Sequence, residues 1–519
     1  MSQKGFFTGG ARLVAAGILL SRLFGLVRQR VTAHYLGTGL AADALAAAFR
    51  IPNMLQNLFG EGVLSASFIP VYAKLLAEGR REEAGRVAGA VFTLLALVIS
   101  VVVLAGVLAA PWLVALIVGG FDADTRALTT RLVRIVFPGL GLLVLSAWCL
   151  GVLNSHRRFF LSYVSPVLWN LAIIAALVFA GPVQDAGDLV ITVAWASVLG
   201  SLLQFVIQVP TVLRLDRSLR LGAGREDDAV RGLVARVMRN FGPVFVGRGV
   251  VQVSGFVDTL IASLIGAGAL ATLNYAQAIS MLPVSLFGMS VSAAELPAMS
   301  GARGTTEEVA AELRTRLDRG LGRIAYFVIP SAAALLLIGG VLASGLYESG
   351  AFTREDARWV WAALAGAAVG LLAGTMARLY ASASYAMGDT RTPLKFAVIR
   401  VMLGATVGAV TALHLPTLLG VDARWGIAAL TAASGLAAWV EFYLLRRAIR
   451  ARVGRSGVPA MTLFTLWACA LAAGVAGLLV ARSMESQPAL LVAIVTVPVF
   501  GAVYLGATRL FGVDDARRA

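Results

Sequence analysis

Residues 21–70 read SRLFGLVRQRVTAHYLGTGLAADALAAAFRIPNMLQNLFGEGVLSASFIP. The stretch is apolar enough to cross a bilayer twice, yet it places Arg22, Arg28, Arg30, Asp43, Arg50 and Glu61 where a pair of membrane helices would bury them. A charge at the bilayer centre costs roughly 2.5–3.5 kcal/mol on insertion scales, so an ionisable residue inside a membrane segment marks function by default. On one continuous helix Asp43, Arg50, Asn53, Asn57 and Glu61 are separated by seven, three, four and four residues, which at about 100° per residue makes a single polar stripe. Its flanks are Leu, Ala, Phe, Ile and Met, so the water that the stripe meets must lie inside the protein. The pattern predicts the wall of a hydrated cavity. Pro52 and the run Gly60-Glu61-Gly62 are expected to kink this helix, a break that membrane proteins tolerate where it lines a cavity.

If 10–35 rises through the membrane and 41–70 returns, Arg28 and Arg50 lie at similar distances from the turn at Gly37–Leu40, and Arg22 lies near the depth of Asn53 and Gln56. The charges then converge, by depth, into a mostly cationic patch. The competing reading is a set of structural ion pairs between neighbouring helices, such as Arg28 with Asp43.

The rest of the chain extends this membrane reading. Over 519 residues it is 59% hydrophobic and 14% charged, with a mean hydropathy of +0.83, a composition of polytopic membrane proteins. The first apolar segment holds Arg22 and Arg28 and shows no convincing cleavage site, so it is kept as a membrane helix. Cys149 and Cys469 fall in apolar segments and read as small core residues. The net charge of +16 lies mostly in alternate connections, at 74–86, 152–159, 214–240, 300–320, 388–395 and 447–458. That asymmetry puts those connections and both termini in the cytoplasm, and nothing argues for nucleic acid.

The apolar runs predict an all-α polytopic membrane protein of about fourteen transmembrane helices. An internal echo organises them: LGTGL at 36–40 returns as IGAGA at 265–269, LFGEGVLSASFIP at 58–70 as LFGMSVSAAELP at 286–297, and Pro52 as Pro283. The offset spans six helices and a basic linker, so the two units keep the same orientation, as parallel pseudo-two-fold repeats do. The expected organisation is an N-lobe at 1–213 (helices 1–6), a cytoplasmic basic linker at 214–240, a C-lobe at 241–446 (helices 7–12), and two further helices with a short tail at 447–519. No P-loop or catalytic constellation is present, which points away from an enzyme and towards a transporter.

SRLFGLVR, Asp43-Ala44 and FRIPNMLQNLFGEGVLSASFIP closely resemble the N-terminal signature of the MurJ/MviN family, and GDTRTPLK at 388–395 resembles its turn between helices ten and eleven. The resemblance implies a flippase of the multidrug/oligosaccharidyl-lipid/polysaccharide exporter superfamily in the bacterial cytoplasmic membrane. Such a protein moves lipid II, the undecaprenyl-diphosphate-linked peptidoglycan precursor, to the outer leaflet, with membrane lipids and other cell-wall synthesis proteins as further candidate partners. Arg22, Arg28 and Arg50 match basic positions of that family's cavity, Asp43 and Glu61 its acidic ones, and Asn53 its IPN turn. Gln29, Gln56 and Ala278 depart from the pattern, since basic or acidic residues are common there. Arg248 is expected to supply the cation missing at Gln56 and Ala278. No cofactor is expected beyond coupling to the membrane potential or to sodium, for which Asp258, Asp389, Val401 and Thr406 resemble the family's ligand positions. The alternatives are an exporter of another polyprenyl-linked saccharide, a multidrug exporter of the same superfamily, and a non-transporting scaffold of cell-wall synthesis.

Overall fold

The computed structural model describes residues 3–216, 218–219, 222, 228–301 and 305–513; within its helices, the side chains of 3–16, 18, 61–62, 242–248, 250–251, 293, 297–298 and 306 lie outside the description. Every named element is helical. In the first half they are α1 (Gln3–Leu36), α2 (Leu40–Phe59), α3 (Glu61–Ser67), α4 (Ile69–Ala77), α5 (Arg81–Ile117), α6 (Ala123–Ser155), α7 (Phe159–Ala180), α8 (Ala186–Val206) and α9 (Val209–Leu215). After α10 (Asp228–Ile265) follow α11 (Ala269–Pro283), α12 (Ser290–Ser300), α13 (Thr306–Leu337), α14 (Gly339–Tyr347), α15 (Arg354–Ala386), α16 (Arg391–Leu419), α17 (Gly426–Val453), α18 (Ala460–Ser483) and α19 (Ala489–Leu510). Among the described residues, eleven helical segments are long and apolar enough to cross a membrane. The three other expected passes fall on α1, on α2–α4 and on α10, all of which carry charges discussed above.

Short polar residues set where these helices begin. Asp122 accepts from the Thr125 amide at 2.9 Å ahead of α6, and Asp185 from the Asp188 amide at 2.9 Å ahead of α8. Reciprocal capping boxes, Thr305 with Glu308 and Thr353 with Asp356, open α13 and α15. Each cap satisfies amides that a helix start leaves without partners. Helix α2 runs unbroken through Pro52 and stops at Gly60, where a Cβ would collide with the Gln56 carbonyl. Of the two places where a kink was expected, the one at Gly60 is a break between helices.

The chain divides into two compact units, residues 1–256 and 257–519, with the division inside α10. The expected linker 214–240 is helical from Asp228 onward, as the first part of α10. In the first unit α6 packs against α2, α5 and α8, and α7 packs against α8. In the second, α15 packs against α11, α13 and α17, and α16 against α17. With α6 as the fourth pass and α15 as the tenth, the pairings of the first six-helix set recur in the second, which is the structural counterpart of the sequence echo. The last two helices pack on the second unit, α18 on α13 and α19 on α14, and the Tyr504 hydroxyl donates to the Tyr326 carbonyl at 2.6 Å.

Candidate functional site

The polar stripe on α2 survives as one face and has a gradient along it. Asp43 is fully buried, Arg50 half-buried, and Asn53 and Asn57 exposed. The face is closed near the Gly39 end and open toward Gly60. Gln56 is half-buried beside it. Arg50 donates from Nη2 to the carbonyl of Gly255 in α10 at 3.0 Å; a helical carbonyl has a second lone pair for such a donor. A Cβ at 255 would fall on the Arg50 guanidinium, so a substitution there would make that side chain shift.

On α1, Arg28 is half-buried, with its guanidinium carbon 5.0 Å from the centroid of the Trp169 ring. Trp169 in turn meets Phe49 edge-on at 5.9 Å. Passes one, five and two are thus linked by an Arg-Trp-Phe series, and the cation–π contact contributes about 0.5–1 kcal/mol when exposed and about 2 when desolvated. Arg22 is exposed on the face of α1 that also shows Leu19, Leu23 and Val27. The structure therefore brings Arg50, Asn53 and Asn57 onto one face, with Gln56 beside it, and gives Arg28 an aromatic partner that the sequence reading did not name. The only sequence signal for it was a lone Trp in the fifth pass. The side chains of Glu61 and Arg248 lie outside the described residues.

The second unit holds a cavity of about 230 Å³. Asp258, Gln277, Thr375, Arg378, Arg400 and Ser434 are among the residues lining it. Arg400 Nε lies 3.3 Å from Glu441 Oε2. Arg378, Arg400 and Glu441 were not singled out from the sequence, although each is a charge in a long apolar run, the signal that flagged the first two helices.

Of the four residues expected to hold sodium, Asp258 lines this cavity. The cavity beside Asp258 is lined by neither Asp389, Val401 nor Thr406. Thr406 is exposed, on the same outward face of α16 as Met402 and Val410. Asp389 accepts from the Thr392 amide at 3.0 Å and hydroxyl at 2.8 Å, and from Arg452 Nη2 at 2.7 Å. Those bonds, the Thr392 amide first, hold its carboxyl well below the usual range, at about 2. A carboxylate so engaged serves as a helix cap and ion-pair partner. Among the described residues, no group of three or more His, Cys, Asp or Glu is placed to hold a metal.

Residues 32–497 match the family model described as "Lipid II flippase MurJ". The "Lipid II flippase MurJ" of Burkholderia cenocepacia is 32% identical over 391 residues, 75% of this chain and 75% of that protein. The "Probable lipid II flippase MurJ" of Rhizobium tropici is 32% identical over 437 residues, covering 83% and 79%. Among solved structures, "Lipid II flippase MurJ, inward closed conformation" superposes with a TM-score of 0.76 at 21% identity, covering 97% of this chain and 99% of that one. A multidrug resistance MATE family transporter of the MOP superfamily, in an inward-facing conformation, follows at 0.64 and 16% identity, covering 83% and 95%. The last two likenesses show the fold.

Proposed function

Because the chain belongs to the MurJ lipid II flippase family, a family of transporters and not enzymes, we propose that it moves lipid II from the inner to the outer leaflet of the bacterial cytoplasmic membrane by alternating access, with both termini in the cytoplasm. The observation that carries this reading is the open polar face of α2, with Arg50 held on the Gly255 carbonyl and Asn53 and Asn57 exposed toward Gly60. The charged loops put the Gly60 end on the cytoplasmic side, where a headgroup enters. A diphosphate concentrates negative charge, and arginine meets it with a planar, permanently charged fork. The carboxylate-lined cavity that cationic drugs require is not the pattern of this face.

Energy coupling is proposed to run through the membrane potential. A transported anion moves outward, away from the negative interior, and gains about 2.3 kcal/mol per charge per 100 mV. Growth of a strain depleted of its own lipid II flippase tests the function: expression of this chain is expected to restore it. Failure at normal membrane abundance overturns the reading. Flipping assayed at clamped potentials tests the coupling, and an unchanged rate on collapse of the potential removes it.

A further inference from the structure

Most of the charges singled out from the sequence stand in the first two helices. The cavity of about 230 Å³ in the second unit alters that balance, and its chemistry is set by one face of α15. Ala367, Gly370, Gly374, Thr375 and Arg378 line it from that helix, at the spacing of three, four and seven residues that puts side chains on one side. Arg378 is exposed, while Met376, Ala377, Leu379 and Tyr380 around it are buried. It stands eight residues before the end of α15 at Ala386, roughly 12 Å at 1.5 Å per residue.

Two arginines line this space and only one is committed. Arg400 is paired with Glu441 at 3.3 Å, which fixes its guanidinium and neutralises much of its charge. Arg378 makes no ion pair or hydrogen bond among the described residues. A guanidinium carries five donors in a planar fork, and holding one inside a membrane protein without a partner is unfavourable unless something else meets it. Gln277, Thr431 and Ser434 also border the cavity and offer neutral donors. The small residues Ala367 and Gly374 leave the room.

Resting on the lipid II reading, we infer that this cavity is a second anion-binding site, in which Arg378 receives an oxyanion of the cargo, a phosphate or a peptide carboxylate. Arg400, paired with Glu441, borders it as a structural residue. A fork-shaped donor binds the planar O–C–O or O–P–O edge of either group with two parallel bonds. Snorkelling of Arg378 to the cytoplasmic interface is the opposing account, and it requires no ligand at all.

The test is binding of lipid II and, separately, of undecaprenyl diphosphate to the purified full chain in detergent, for the parent, Arg378→Gln and Gly374→Leu. A Cβ at 374 meets only Ala438 at 3.8 Å, so a leucine there extends into the cavity without displacing backbone. Both variants are expected to bind lipid II about tenfold more weakly, the scale of one charge-assisted hydrogen bond. Loss confined to lipid II assigns the site to the peptide carboxylate; equal loss of both ligands assigns it to the diphosphate. Parent-like binding by Arg378→Gln overturns the site, as does an Arg378→Gln protein that no longer elutes folded, because the residue is then structural. Loss in Arg378→Gln with none in Gly374→Leu places the arginine's action outside the cavity and also overturns it. A parent that binds neither ligand sinks the functional reading itself, a distinct outcome.

Discussion

The second and eighth passes are copies of one another in sequence and solve the same problem differently. Both carry Leu-Phe-Gly, at 58–60 and 286–288, and both carry a proline upstream, Pro52 and Pro283. In the second pass the helix ends at Gly60 and restarts at Glu61. In the eighth it runs on through a six-residue π-helical turn, Val284–Met289, that follows Pro283 directly. The glycines differ accordingly. Gly60 makes room for its own helix, for the Gln56 carbonyl, whereas Gly288 makes room for a neighbour, the methyl group of Thr375 on α15. A π turn adds a residue to the helix without releasing its hydrogen bonds, and such turns recur at functional sites. The first copy thus bears charged and polar groups on a broken helix, whereas the arginines that line the cavity beside the second copy stand on α15 and α16.

The largest expected effect falls on the broken copy and its neighbour. Arg28→Ala and Arg50→Gln are each expected to abolish rescue of the depleted strain while the protein stays inserted and folded, because removing a charge from a wet face relieves a burial cost. Membrane abundance and elution profile check the folding. Rescue by both variants at normal expression makes these arginines structural.

Next come the two glycines. Gly60→Ala drives a methyl against a backbone carbonyl, and Gly288→Ala drives one against a threonine side chain. Overpacking typically costs about 1–3 kcal/mol, with Gly60→Ala expected near the upper end, since backbone must move. Adding Thr375→Ser removes the obstructing methyl and is expected to restore the melting temperature of Gly288→Ala but not that of Gly60→Ala. Equal response of the two to the serine breaks the distinction.

The turns that close passes four and ten give a smaller effect of the opposite sign. Both need a left-handed residue: Gly388 has φ 75°, but the first copy places Arg157 there, at φ 59°. A side chain in that region costs roughly 1–2 kcal/mol, so Arg157→Gly is expected to stabilise the chain by about 1 kcal/mol after the entropy of glycine is counted. A lowered melting temperature would show that the Arg157 side chain earns its position.

The architecture was legible because long apolar runs between Asp, Thr and Gly punctuation carry strong local signals, and the echo fixed the six-plus-six organisation. The Asp43–Asn57 stripe was legible because it lies on one helix, where spacing is geometry. The cavity of the second unit was not, because Asp258, Arg378, Arg400 and Glu441 sit on four helices and only packing groups them. Following the repeat drew attention to passes seven and eight, while the cations stand on ten and eleven. The partners of Asp389 were illegible for a related reason: its sequence context resembles a ligand position, and only the structure shows Thr392 and Arg452 engaging it. The π turn has no mark in Val-Ser-Leu-Phe-Gly-Met beyond the proline before it.

The smallest effect sharpens the comparison at the same two turns, through pH. In the first, Nε2 of His156 lies 3.0 Å from the Tyr72 hydroxyl, which donates to Asp216 at 2.9 Å; burial lowers the His156 pKa from 6.5, against the opposing pull of Asp216. The folded chain therefore resists a proton that the unfolded chain takes up, and this turn loses stability as pH falls below about 6.5. In the second, Asp389 is held at about 2 against an ordinary 3.8, so its contribution is complete above about 4 and disappears as pH falls toward 2. Between pH 7 and pH 5 only the first turn should respond. The melting-temperature advantage of the parent over His156→Gln is expected to shrink across that range, and its advantage over Asp389→Asn to stay constant there and decline only in stronger acid. If the His156→Gln difference is flat from pH 7 to pH 5, the histidine is not held neutral by burial, and the two turns differ in their backbone alone.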